Sequence, residues 1–251
     1  MLTAAIEEAT HLLIAARHSG DLLGSLPPAC RPTDTAEAHT IQDATVAALS
    51  DAVAGWKIAL APDGTVMRGV LLRSRVMASP AHMKAAQVPL LGVEAEIAFH
   101  FDRALAPRER DYSHAEVAQA VTAFAAIEVV DTRFTSYANT PPLQRLADFM
   151  SNGAFVHGAM QADWRKLDLA NLHVRLTLDD KVITERIGGH VTQDPLIPAV
   201  ALVNELRKQG GVPAGMVMTT GTYTGLNYAK PGQTAVVSFD GFDSVELTFD
   251  R

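Results

Sequence analysis

The sequence predicts an α+β fold, a curled mixed β-sheet with a small helical region at its N-terminal end. Apolar residues in roughly the first fifty positions recur at intervals of three and four, the helical period. From about residue 55 onward the apolar pattern mostly alternates with a period of two, and Gly, Pro and Asp-rich breaks separate the runs. The composition, 48% hydrophobic and 20% charged over 251 residues, is that of a globular chain able to bury a sizeable core.

Taken in order, Thr3 to Gly20 reads as a first helix, with Ala5, Ile6, Ala9, Leu12, Leu13 and Ala16 on one side and Gly20 as its C-terminal stop. A stiff connector, Leu26 to Pro32, leads to a second helix capped by Thr33 or Asp34 and running to about Val53. Residues 1–54 are therefore expected to form a helical cap, and residues 55–251 a β-rich domain. The first strand, Gly55 to Leu60, sets Lys57 and Ala59 opposite Trp56, Ile58 and Leu60. Pro62-Asp63-Gly64 is a turn, Val70 to Leu72 a short strand, and the chain to Pro89 a looser segment.

The most informative run is Gly92-Val93-Glu94-Ala95-Glu96-Ile97-Ala98-Phe99-His100-Phe101. Alternation places Val93, Ala95, Ile97, Phe99 and Phe101 on one face and both glutamates on the other, roughly 7 Å apart along the strand. If buried, such a pair requires a cation or a shared proton; the alternative is a solvated acidic face. His100 shares the acidic face and is read as structural.

Ser113 and Glu116 have the spacing of a capping box, opening a helix to about Ala125. Next, Ala126-Ile127-Glu128-Val129-Val130-Asp131-Thr132-Arg133 holds a glutamate inside a β-branched strand, where it is costly unless bound to metal or paired with Arg133 or a distant lysine. Thr135 to Leu143, with its Pro141-Pro142, is a loop suited to substrate contacts, and Leu143 to Phe149 a short helix. Strands at 155–158 and 172–178 follow, the latter turning at Asp179-Asp180 into a hairpin over 182–187. Asp194-Pro195 opens a helix that ends at Gly210-Gly211. Three strands, near 216–220, 235–239 and 245–249, complete the chain.

A net charge of −7 without a basic cluster argues against nucleic acid or an anionic membrane as partner. The single cysteine, Cys30, rules out an internal disulfide or a multi-cysteine metal site and suits a reducing, cytoplasmic setting. The N-terminus lacks a signal-peptide pattern, and no window has the apolar length of a membrane span. The glycine-rich turns match no nucleotide-binding loop.

Together these motifs resemble the fumarylacetoacetate hydrolase superfamily, in particular its branch of 2-hydroxypenta-2,4-dienoate hydratases and 4-oxalocrotonate decarboxylases. That branch's "GYKIG" strand stands here as Gly55 to Ala59, "VEAEIAF" as Val93 to Phe99, and "AIEVVDSR" as Ala126 to Arg133. Its "ADN-S-G-FV-G" segment is met by Ala147, Asp148, Ser151, Gly153, Phe155, Val156 and Gly158, and its "TGTYTGL" turn by Thr220 to Leu226. The resemblance implies a fumarylacetoacetase C-terminal-like roll or barrel. It also implies one divalent ion, Mg²⁺ or Mn²⁺, on Glu94, Glu96 and Glu128, which suits a set of hard oxygen donors. Lys57 is then the proton shuttle, and Thr222, Asp148, Ser151 and Arg133 contact the substrate. The implied activity is hydration of a 2-hydroxy-2,4-dienoate (2-keto-4-enoate), as in aromatic-compound catabolism. Decarboxylation of 2-oxo-3-hexenedioate is the alternative, and C–C bond hydrolysis of an acylpyruvate a third. A homo-oligomer is implied, with a partner enzyme of the same pathway as a further association.

Two departures bear on the chemistry. A "PDFG" run, which carries a site aspartate in the hydratases, is replaced by Val66-Met67-Arg68-Gly69, with Arg68 read as facing solvent. Phe149 stands in place of the asparagine of "ADN".

Overall fold

The computed structural model describes all 251 residues. The helical front consists of α1 (Thr3–Ser19) and α2 (Thr35–Leu49). Gly20 ends α1 in the left-handed conformation, and the Asp34 side chain caps α2 by accepting from the Glu37 N–H at 2.8 Å. The second helix stops earlier than its periodicity predicts. Val53 and Ala54 are drawn into β1 (Val53–Leu60), which forms a hairpin with β2 (Val66–Leu72).

The segment expected to be loose holds two short strands, β3 (Val76–Ala78) and β4 (Ala81–Lys84). Each is too short to show alternation, and each pairs with a strand far along the chain. The acidic run forms β5 (Gly92–Phe101). Ser113 and Glu116 make the predicted capping box, but α3 (His114–Ala120) gives way at once to β6 (Val121–Val130). Helix pattern and strand pattern overlap at Val121 to Ala125, and pairing against Phe101 to Ile97 decides for strand.

The remaining elements are α4 (Pro142–Ala147), β7 (Asn152–His157), β8 (His173–Leu178), β9 (Lys181–Ile187) and α5 (Leu196–Leu206), followed by β10 (Val217–Thr222), β11 (Asn227–Tyr228), β12 (Thr234–Phe239) and β13 (Val245–Asp250). They form two sheets. The larger has the order β2-β1-β10-β5-β6-β7-β3, with β11 on the end of β5; the smaller runs β4-β13-β12-β8-β9. The larger sheet curls until β2 packs against β7, giving the roll expected from the sequence.

Curling gives the large sheet two different faces. Val93, Ala95, Ile97, Phe99 and Phe101 of β5 are fully buried against the small sheet, beside Val245, Leu247 and Phe249 of β13. Burying each of the large ones stabilises the fold by about 1.5–3 kcal/mol. A one-residue slip of β5 would expose all five and drive Glu94 and Glu96 into the core, so the core dictates where the acids point. The inner face of the roll holds a smaller apolar group, including Ala98, Phe124, Ala126 and Phe155, and the carboxylates. No helix is long and apolar enough to cross a membrane.

Candidate active site and metal centre

Strand register assembles the acids. Glu94 of β5 lies directly across from Glu128 of β6, and Glu96 across from Thr222 of β10. One carboxylate oxygen from each of Glu94, Glu96 and Glu128 lies within 4.8 Å of the others. Neither Glu96 nor Glu128 is solvated; they are 2% and 0% exposed. The solvated-face alternative is therefore excluded. Three converging carboxylates at this depth repel one another unless something positive neutralises them.

Lys57 neutralises one of them. Its Nζ lies 2.6 Å from Glu128 Oε1, an atom that also accepts from Asn152 Nδ2 at 3.0 Å. Glu128 Oε2 is buried and has no partner. Glu96 accepts from the Thr219 hydroxyl and, at 3.3 Å, from the Gly221 N–H. A bulge between Thr219 and Thr222 turns that N–H toward Glu96, and Gly221 there has φ +120°, a backbone setting that favours glycine.

Burial pushes the Glu94 carboxyl up to about 7, with the neighbouring Glu128 adding to the shift and Lys57 opposing it. Burial, then repulsion from Glu128 and Glu94, raises Glu96 to about 8 against the pull of Lys57. At Lys57 burial favours the neutral amine, but the attraction of Glu128, then Glu94 and Glu96, outweighs it and raises the pKa above that of a free lysine. One ammonium balances one of the three acids, and the other two ionise fully near neutral pH only beside a further positive charge. An orphaned carboxylate oxygen and an all-oxygen donor set with no sulfur or imidazole fit a hard divalent cation.

Lys57 reaches the trio because Gly69, its partner on β2, has no side chain. A Cβ there would lie 2.4 Å from the Phe149 carbonyl oxygen and 2.8 Å from Lys57 Cγ. The stretch Val66 to Gly69 is thus a paired strand lining the lysine, and it brings Met67 rather than an acid to the site. Arg68 corrects its solvent assignment: its guanidinium binds both oxygens of Asp43 on α2 at 2.9 Å, outside the cleft.

A cleft of about 360 Å³ opens on the carboxylates. It is lined by Lys57, Glu94, Glu96, Ser151, Thr222 and Gly221, by apolar groups of β1, β2 and α4, and by Tyr137 and Arg145. Ser151 and Thr222 both line the cleft, and the Ser151 hydroxyl is buried without a partner. His100 is outside the cleft, with Nδ1 2.9 Å from Asp102.

Asp148 and Arg133 are not in the cleft wall. Arg133 is 4% exposed and Asp148 1%. Arg133 Nε donates to both Asp148 oxygens at 2.7 and 2.8 Å, its Nη1 reaches Asp131, and Arg17 binds Asp148 from the other side at 2.8 Å. A guanidinium and carboxylate already satisfied in this way have nothing left to offer a substrate. They hold the turn that follows instead. Phe149, Met150 and Ser151 all have φ between 51° and 59°, three consecutive non-glycine residues in the left-handed region. The Ser151 N–H donates to the Asp148 carbonyl at 2.9 Å, and the Ser151 carbonyl accepts from Asp131 N–H at 2.9 Å. That turn delivers Met150 and Ser151 to the cleft.

Asn152, Thr219 and Arg145 have no counterpart among the sequence-predicted site residues. Asn152 and Thr219 matter only through strand partners that the sequence alone does not place. Arg145 sits just after the proline-rich loop expected to meet substrate, the one local sign of it.

The sequence matches the family described as fumarylacetoacetate (FAA) hydrolase C-terminal over residues 39–250. Among solved structures, 4-oxalocrotonate decarboxylase from Pseudomonas putida G7, complexed with magnesium and adipate, superposes with a TM-score of 0.85 at 23% identity, covering 99% of each chain. Fumarylpyruvate hydrolase from Pseudomonas aeruginosa, complexed with Mn²⁺ and pyruvate, gives 0.54 at 12% identity over 74% of this chain and 78% of its own. A 2-hydroxyhepta-2,4-diene-1,7-dioate isomerase from Mycobacterium marinum gives 0.57 at 14% identity over 80% and 77%. At these identities the likeness is one of fold.

Proposed function

The chain belongs to the fumarylacetoacetate hydrolase C-terminal family, and from that premise we propose that it is a divalent-metal-dependent decarboxylase of a 2-oxo-enedioate such as 2-oxo-3-hexenedioate. The observation that carries this reading is the acid–base content of the cleft. Its only acids are the clustered glutamates, and the position on β2 facing Lys57 is a glycine. Hydration requires a group that activates water, whereas decarboxylation requires charge stabilisation and one proton donor. The full-length likeness to a decarboxylase holding magnesium and a dicarboxylate supports the same choice.

Glu94, Glu96 and Glu128 would hold Mg²⁺ or Mn²⁺, which when bound supplies positive charge for the substrate's 1-carboxylate and 2-oxygen. Thr222 and Ser151 offer hydroxyls to those oxygens and orient the chain. In the reaction the C5–C6 bond breaks and its electron pair becomes the C4–C5 double bond. The former C3–C4 pair moves to C2–C3, the carbonyl pair moves to the 2-oxygen, and C6 leaves as CO₂. Lys57, kept protonated by Glu128, delivers a proton to C3 and regains one from solvent, giving 2-oxo-4-pentenoate. Met67, Met150 and Leu146 exclude water from the dienolate.

Hydration of a 2-hydroxy-2,4-dienoate is the second reading, because it passes through the same dienolate and the unpartnered Ser151 hydroxyl is a place to hold water. The two separate on a substrate panel. With Mg²⁺ present, 2-oxo-3-hexenedioate should release one CO₂ per turnover, chelation should abolish the release, and 2-hydroxypenta-2,4-dienoate should gain no water. Hydration of the dienoate without CO₂ from the diacid would reverse the assignment.

A further inference from the structure

Two cationic side chains line the cleft, Lys57 and Arg145. Lys57 is paired with Glu128. The Arg145 side chain, on α4, forms no ion pair and no hydrogen bond, and its Nε is buried without a partner. Other well-buried arginines are answered by acids: Arg17 by Asp148, Arg133 by Asp148 and Asp131, Arg207 by Asp111. The Arg145 guanidinium is nevertheless held in place, 4.8 Å from the centroid of the Tyr137 ring. Much of the remaining wall is apolar, with Ile58, Ala59, Met67, Leu146 and Met150. The cleft therefore combines the carboxylate cluster, an unanswered guanidinium and a hydrocarbon wall.

We infer that Arg145, stacked on Tyr137, is the receptor for a second, distal carboxylate of the substrate, so that the cleft selects dianionic 2-oxo acids over monoanionic ones. This inference rests on the proposed function, in which the other end of the substrate is held at the glutamates. A planar guanidinium pairs with a carboxylate through two parallel hydrogen bonds, and a preorganised one loses little freedom in doing so. Leaving it unpaired in a partly buried wall is costly, which penalises a ligand whose far end is apolar.

The distal carboxylate is also the group that departs. Arg145 grips it only before C5–C6 cleavage, and the charge it grips disappears as CO₂ forms. Its interaction is thus strongest in the ground state, which acts on KM more than on kcat. The product keeps one carboxylate and leaves Arg145 without a partner, which favours its release.

The test compares two ligands that do not turn over, 2-oxoadipate and 2-oxohexanoate, which differ only in the distal carboxylate. Binding to the Mg²⁺-loaded wild type, Arg145→Leu and Arg145→Lys is measured by calorimetry, with thermal unfolding as a check on the fold. Wild type should prefer 2-oxoadipate by roughly 10- to 100-fold. Arg145→Leu should erase the preference by weakening 2-oxoadipate while binding 2-oxohexanoate at least as tightly as wild type, and Arg145→Lys should restore part of it. With 2-oxo-3-hexenedioate, Arg145→Leu should raise KM without lowering kcat. A preference that survives in Arg145→Leu, or equal binding of both acids by wild type, overturns the role of Arg145 and leaves the proposed function standing. Failure of wild type to bind either acid overturns both.

Discussion

Glu128 shows how one side chain can serve two partners. Its Oε1 faces Lys57 and Asn152, while Oε2 is buried with nothing to bind. Replacing it by glutamine keeps the shape and the Asn152 contact but removes the charge. Two effects on the metal-free protein then oppose each other. Lys57 loses its nearest counter-ion, and Glu94 and Glu96 lose a repelling neighbour. Because these offset, Glu128→Gln should remain folded, and the metal response becomes a clean readout. Mg²⁺ at about a hundred times its dissociation constant should raise the wild-type Tm by roughly 5–10 °C. The same concentration should leave Glu128→Gln unmoved. A Tm shift equal to that of wild type, measured by scanning calorimetry, would take Glu128 out of the ligand set.

At the scale of elements, the buried cluster of Arg133, Asp148, Asp131 and Arg17 works from behind the cleft. It supports the left-handed turn Phe149–Ser151 through hydrogen bonds on both sides. Arg133→Met would leave two buried carboxylates, Asp131 and Asp148, without their shared cation, and should destabilise the fold by about 3–5 kcal/mol. Urea unfolding measures this; a loss below about 1 kcal/mol would show that Arg17 alone satisfies the cluster. The same elements mark what was legible in the sequence. Alternation along β5 told which face Glu94 and Glu96 share, because the apolar residues between them permit one orientation only, and the single acid in the apolar β6 marked Glu128 as needing a partner. The helix-to-strand switch at Val121 and the burial of Arg133 were not legible, since both depend on partners distant in the chain. A motif position tells that Asp148 is present; it does not tell whether its oxygens face a ligand or an arginine.

Across the whole molecule, the helical front holds the cleft wall in place. Gln42 of α2 donates to the Arg68 carbonyl at 2.8 Å and to the Leu146 carbonyl at 2.5 Å, joining β2 and α4. His39, one turn earlier, accepts the Arg68 N–H on Nε2 at 3.2 Å. An imidazole that accepts there must be neutral. Burial, then the nearby Arg68 charge, pushes His39 down to about 4, with Asp43 pulling the other way. Between pH 6.5 and 4 the unfolded chain therefore carries a proton on this histidine that the folded protein does not. Stability from His39 is complete above pH 6.5 and is lost as the pH falls toward 4. In the metal-free protein Glu94 and Glu96 tilt the curve the other way, because their raised pKa values add stability as the pH falls from about 8. The wild-type profile alone is a sum of opposing slopes, so the informative quantity is the difference from His39→Gln, a side chain that accepts but does not titrate. Denaturant unfolding in EDTA should show wild type losing stability relative to His39→Gln steadily from pH 6.5 to 4, with no divergence above 7. A flat difference across that range would mean that the imidazole is protonated in the folded state and that the contact between α2 and β2 is made by Gln42 and the Asp43–Arg68 pair alone.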